Sequence, residues 1–127
     1  MINFTSMKDL NGKVALVAGS TQGIGKAVAL KLAEMGADIV LLARNEDKLK
    51  QVKEELPKEA GQRHEYLVGD FTNPSDLKTK ITDFLANGRS IDILINNTGG
   101  PKAGPIIDAD ISEFLSAFNQ HLICNHI

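Results

Sequence analysis

The chain has little of what marks a secreted, membrane-spanning or nucleic-acid-binding protein. It carries one cysteine, Cys124, so no disulfide can form within it, and a reducing compartment is expected. The opening stretch MINFTSMKDLNGK lacks the apolar core of a secretory signal. The longest apolar runs are strand-sized, far short of the ~20 residues that span a bilayer. These absences predict a cytoplasmic protein with no membrane partner. Neither charge sign is in excess: 14 basic and 16 acidic residues leave a net charge of -2. With no basic stripe, that balance excludes the electrostatic footprint of a nucleic-acid binder. His64, His121, His126 and Cys124 form no H-x-x-x-H or C-x-x-C spacing, so no metal site is expected. Paired carboxylates and a nucleophile elbow are also missing.

What is present is an alternation. A length of 127 residues fits one domain, by a norm of roughly 100–200 residues each. KVALVA (13–18) is a short, nearly continuous apolar run, as in a strand buried on both faces. Ile24, Ala27, Val28, Leu32 and Met35 then recur at helical spacing, and Gly36 suits the end of that helix. DIVLLA (38–43) is a second buried strand. Asn45 is placed to cap a second helix with Leu49, Val52 and Leu56 on its inner face and Pro57 as its stop. EYLVG (65–69) reads as a third strand. Pro74 opens a third helix whose inner face is Leu77, Ile81, Phe84 and Leu85. IDILIN (91–96) is the fourth strand. Asp110 with Glu113 then forms a capping-box pattern for a fourth helix with the stripe Ile111, Phe114, Leu115, Phe118 and Leu122.

Four βα units in series imply an α/β fold: a parallel sheet with right-handed crossovers and helices on both faces. A doubly wound sheet of two halves continues beyond a fourth strand. Residues 1–127 are therefore expected to be one incomplete Rossmann-type domain, truncated within its fourth helix.

The chemistry-bearing stretch is GSTQGIG, residues 19 to 25. Gly19 directly follows the first strand, where the chain must turn sharply, and Gly23 and Gly25 stand at the start of the helix. A pyrophosphate there would meet unpaired N–H groups and the positive end of the helix dipole. The spacing is G-x-x-x-G-x-G rather than G-x-G-x-x-G, but the strand-to-helix context is the one such loops require. A glycine-rich turn without a ligand is the plain alternative.

These stretches together resemble the short-chain dehydrogenase/reductase family, from LNGKVALVAG onward. The family's T-G-x-x-x-G-x-G reads here as AGSTQGIG, with Ala18 in place of Thr. Its Asn-Asn-Ala-Gly motif reads NNTG, Asn96 to Gly99. Its acidic residue after the third strand, which meets the adenine amino group, matches Asp70. The resemblance implies an NAD(P)-binding site drawn from Gly19, Ser20, Thr21, Gln22, Gly23, Ile24, Gly25, Arg44, Asp70, Phe71, Asn97, Thr98 and Gly99. Structural roles stand beside these: Asp70 as a cap for the next turn, Asn96 and Asn97 as turn residues. Arg44 bears on the cofactor. A carboxylate at the end of the second strand would bond the ribose 2′-OH of NAD, whereas Ala43 and Arg44 stand here. An arginine matches a 2′-phosphate in charge and fork geometry, so NADP(H) is expected over NAD(H). A solvated surface arginine is the alternative.

The family's Ser and Tyr-x-x-x-Lys are absent from this sequence. The only tyrosine is Tyr66, in the third strand, with Asp70 four residues on. His121 falls where many family members carry an Asn of a proton relay; it stands as a relay candidate or as a half-buried helix residue. Two functions of different class follow. One is an NADP(H)-dependent oxidoreductase moving hydride between nicotinamide and a carbonyl or alcohol, with this chain as its cofactor-binding half. The other is a non-catalytic nucleotide-binding fragment or assembly partner. A methyltransferase-type nucleotide fold is disfavoured by Arg44 and the glycine spacing. The bare edge of the fourth strand and the family's helical interface predict a homo-oligomer.

Overall fold

A computed structural model describes residues 10–59, 61–98 and 104–119. Four strands form one parallel sheet: β1 (Val14–Ala18), β2 (Asp38–Ala43), β3 (Glu65–Val68) and β4 (Ile93–Ile95). The helices are α1 (Gly23–Glu34), α2 (Glu46–Glu55), α3 (Pro74–Ala86) and α4 (Ile111–Phe118), with a 3₁₀ turn at Ile106–Asp108. The strand order is β3-β2-β1-β4. Val14 lies opposite Asp38, Val40 opposite Glu65 and Leu16 opposite Leu94. The chain therefore moves outward from β1 through β2 to β3, then returns to place β4 on the other side of β1. That reversal is the switch point of a doubly wound sheet, next to which such folds bind their ligands.

The chain divides into two compact units, Met1–Val68 with Arg89–Asn97 and Gly69–Gly88 with Thr98–Ile127. The first unit holds the whole sheet with α1 and α2. Ala15, Val17, Ile39 and Leu41 form one sheet face, and Ala29 and Ala33 of α1 with Leu49, Val52 and Leu56 from α2 and its end close over it. The continuous apolar runs of β1 and β2 are explained by burial on both faces, since Leu16, Val40 and Leu42 on the second face are also buried.

The expected inner face of α1 needs correction. The helix buries Gly25, Ala29 and Ala33, whereas Ile24 is 75% exposed and Ala27 is exposed too. Val28, Leu32 and Met35 are half-buried. The small residues at i, i+4 and i+8 face the sheet because the helix lies close to it, and larger side chains there would hold it away. The expected face of α2 is observed: Leu49, Val52 and Leu56 are buried, each worth about 1.5–3 kcal/mol against exposure.

Three polar residues outside the regular elements tie the first unit together. The buried Gln62 donates from Nε2 to the carbonyls of Ala33 (3.0 Å) and Ala37 (2.9 Å), and its Oε1 accepts from Glu59 N at 2.7 Å. The buried His64 accepts from Ile39 N at Nδ1 (3.1 Å), and its Nε2 lies 2.8 Å from the Pro57 carbonyl. An acceptor at Nδ1 and a carbonyl at Nε2 assign the ring proton to Nε2. Glu65 is held by Arg89, Nη1 to Oε1 at 2.6 Å. At the surface Lys26 of α1 pairs with Glu55 of α2 at 2.6 Å. Tyr66 lies in β3 as a structural residue and donates to Glu46 Oε1 at 3.1 Å.

The second unit contains α3 and α4. Asn73 caps α3 by accepting from Asp76 N at 3.1 Å, with Pro74 in the first turn. Leu77 and Phe84 are buried as expected, Ile81 is half-buried, but Leu85 is 43% exposed, at the margin of the stripe. The capping box of α4 is formed, with Glu113 Oε2 accepting from Asp110 N at 3.2 Å. The stripe of α4 is a second correction: Ile111, Phe114, Leu115 and Phe118 are 79%, 50%, 60% and 51% exposed, so they do not form an inner face. Periodicity shows which face is apolar, not that something covers it.

Candidate functional site

The loop Gly19–Gln22 carries the chain from the end of β1 into α1. Gly19 adopts φ +58°, where a side chain is strained, and a Cβ there would strike the carbonyl oxygen of Asn97. Gly25 has an ordinary helical backbone but no room: a Cβ would collide with the carbonyl oxygen of Gly19 and stand 2.7 Å from Asn97 Nδ2. These two glycines let the first turn of α1, the loop and the residues after β4 close onto one another. Asn97 Nδ2 donates to the Gly19 carbonyl at 3.4 Å, joining the ends of β1 and β4 across the switch point. Gly19 N donates to the Leu42 carbonyl at 2.9 Å, joining the loop to the end of β2.

The start of α1 differs from those of the other helices. Gln22 at its N-cap is extended (φ -160°, ψ 168°), makes no side-chain cap bond, and no acidic residue lies in the first turn. The first intrahelical bond is Lys26 N to Gln22 O at 3.4 Å. The N–H groups of Gly23, Ile24 and Gly25 have no partner among the described residues. By contrast α2 is capped by Asn45, which accepts from Lys48 N at 3.0 Å, and begins with Glu46 and Asp47. Uncapped donors at a positive dipole end, with no acidic residue in the first turn, form an anion-accepting surface.

The remaining expected residues of the first unit are placed as follows. Ser20 is fully buried, and its Oγ accepts from Leu42 N at 3.1 Å, so its side chain is used inside the fold. Thr21 is half-buried and Gln22 exposed. Arg44 directly follows β2, is exposed, and makes no ion pair among the described residues. Leu42 was not singled out from the sequence, because an apolar strand residue that acts through its backbone leaves no compositional signal.

In the second unit, Asp70 Oδ1 accepts from both Thr72 N (2.8 Å) and Thr72 Oγ1 (2.6 Å), the geometry of an Asx turn leading toward α3. That local role is the plain alternative raised by its sequence. Phe71 and Thr98 are half-buried. Gly99 and the relay candidate His121 lie outside the described residues, as does Leu122.

The Tyr66 phenol is pushed above its ordinary pKa, first by loss of hydration and then by the hydrogen bond and charge of Glu46; Lys50 opposes this. A tyrosine so held is a poor proton donor near neutral pH. Among the described residues no cluster of three metal-ligating side chains occurs, and no helix is long and apolar enough to cross a membrane.

Residues 13–123 match the family described as short chain dehydrogenase. The chain is similar to glucose 1-dehydrogenase of Gluconobacter oxydans (strain 621H): 39% identical over 103 residues, covering 81% of this chain and 39% of that protein. It is similar to the crystal structure of L-sorbose reductase from Gluconobacter frateurii in complex with NADPH and L-sorbose. There the TM-score is 0.84 and the identity 28%, over 94% of this chain and 46% of that one. A metagenomic short-chain oxidoreductase in complex with NADP superposes with a TM-score of 0.80 at 34% identity, over 92% of this chain and 53% of that one. The chain thus spans about half or less of the length of the proteins it matches.

Proposed function

The chain belongs to the short-chain dehydrogenase/reductase family, and from that premise we propose that it is the NADP(H)-binding half of an oxidoreductase acting on a small carbonyl or alcohol. The observation that carries the reading is the start of α1, where three N–H groups have no partner among the described residues, above a loop closed by two glycines that tolerate no Cβ. Gly23, Ile24 and Gly25 would donate to the diphosphate; Gly23 leaves the approach open, and Gly19 and Gly25 let the loop pack closely beneath it. Arg44 would face the 2′-phosphate, in keeping with its exposure and its lack of an ion pair among the described residues. NADP(H), when bound, supplies the hydride carrier. The NADPH and NADP complexes among similar structures support the phosphorylated cofactor.

The test is a titration of the 127-residue chain with NADPH and NADH, for wild type and Arg44→Ala. Wild type should bind NADPH more tightly. The substitution should weaken NADPH by about tenfold or more, since a charge-assisted bond is lost, and leave NADH nearly unchanged. Equal binding of both cofactors, unaffected by Arg44→Ala, rejects the assignment.

A second reading, cofactor holding without chemistry by this chain alone, is favoured by Tyr66. It is the only tyrosine in the sequence, and its hydroxyl is engaged by Glu46. NADPH oxidation by the chain with any of a panel of carbonyls would reject that reading. Self-association is part of the proposal and is supported by the exposed stripe Ile111, Phe114, Leu115 and Phe118 on α4. A single monomeric species in sedimentation velocity at micromolar concentration would count against it.

A further inference from the structure

We propose that Ser20 is a positioning residue that sets the span between the phosphate-accepting start of α1 and Arg44; this rests on the NADP(H) reading of the same site. Ser20 is the one residue of GSTQGIG whose side chain is fully buried with a hydrogen bond into the sheet. Its Oγ accepts from Leu42 N at 3.1 Å, and the neighbouring Gly19 N donates to Leu42 O at 2.9 Å. Both backbone groups of one β2 residue are therefore bonded to two consecutive loop residues. Leu42 is itself 2% exposed, so this anchor is set in the core.

The link has a direction. Three residues beyond Ser20 begin the N–H donors of α1, and two residues beyond Leu42 stands Arg44. A cofactor bearing a 2′-phosphate engages both ends at once, so its affinity depends on the distance between them being fixed. A cofactor without that phosphate engages only the α1 end. Removing the hydroxyl lets the loop shift on the end of β2, which should cost the two-point ligand more than the one-point ligand. A hydroxyl that merely stabilised the fold would weaken both ligands alike.

Two measurements decide this. In the first, Kd for NADPH and NADH is measured for wild type, Ser20→Ala, Arg44→Ala and the double variant. Ser20→Ala should lower the preference for NADPH by about three- to tenfold, and should have no effect on that preference once Arg44 is gone. An unchanged preference in Ser20→Ala, or the same change with and without Arg44, overturns the proposal. The second needs no ligand. Amide spectra and hydrogen exchange of wild type and Ser20→Ala should show lost protection at Leu42 with displaced resonances at Gly23, Ile24, Gly25 and Arg44. Displacement confined to Ser20 and its chain neighbours overturns the proposal. If wild type binds neither cofactor, the NADP(H) reading fails while the amide data still decide whether Ser20 positions the loop.

Discussion

Replacing Gly25 with alanine separates the geometry of the loop from helix propensity. Gly25 lies inside α1 with ordinary helical φ, so on propensity alone an alanine there should stabilise the helix by about 1 kcal/mol. The structure reverses the sign. The added Cβ would collide with the backbone carbonyl of Gly19, and that carbonyl has little freedom: it accepts from Asn97, and Gly19 N is bonded to Leu42. Overpacking a fitted site costs about 1–3 kcal/mol, and an obstacle made of backbone belongs at the upper end. The expected net loss is therefore about 2 kcal/mol, or roughly 8 °C in melting temperature for a chain of this length. Gly23→Ala is the control. Its Cβ meets nothing within 4 Å, and its φ of +58° alone should cost about 1–2 kcal/mol. Thermal and urea unfolding of the 127-residue chain, followed by circular dichroism, give both values. A Gly25→Ala variant that melts at or above wild type refutes the close packing of α1 on the loop.

Three further outcomes are expected. His64→Ala removes the acceptor of Ile39 N and the donor to Pro57, and should cost about 1–3 kcal/mol in urea unfolding because a buried N–H is left unpaired; a loss under a few tenths contradicts the bonding. Tyr66 should titrate above the ordinary phenol range in ultraviolet absorbance, and Glu46→Gln should bring it back down. Because the folded state holds this proton more tightly, the stabilisation is intact below pH 10 and declines as pH rises through the raised value; a Tyr66 titration indifferent to Glu46→Gln negates the assignment. Asn97→Asp replaces the donor to the Gly19 carbonyl by an anion facing it, and should destabilise the chain by about 1–3 kcal/mol, visible as earlier urea unfolding; an unchanged midpoint excludes the bridge.

The parts of this fold that were legible in the sequence are those with a strong single period. β1 and β2 read as unbroken apolar runs because both faces are covered, and α2 read correctly because Leu49, Val52 and Leu56 stand against charged residues. α1 was misjudged because it is apolar around much of its circumference, so size pointed to Ile24 while close approach selected Gly25, Ala29 and Ala33. In α4 the stripe was visible but its exposure was not, since burial depends on what lies opposite. The glycine loop was legible as a tight turn between strand and helix, which the uncapped start of α1 bears out. The inward turn of Ser20, and the bonds of Gln62 and His64, were not. A polar residue in a connection has no period to show which way it points, and each of these three has a partner 22 to 29 residues away.

The Gln62 bonds carry a consequence for the order of events during synthesis. The Ala33 carbonyl, already bonded by Gly36 N, takes a second bond from a side chain 29 residues downstream. At translation speeds of about 5–20 residues per second, α1 spends roughly 1.5–6 s on the ribosome before that side chain exists. In that interval the backbone bonds of Met35, Gly36 and Ala37 close the helix end, but the side-chain bonds to Ala33 and Ala37 are still to come. Bracing of the loop-bearing helix is thus tied to arrival of the connection that leads into β3, so a pause in translation between residues 37 and 62 would prolong a nascent state that lacks this brace.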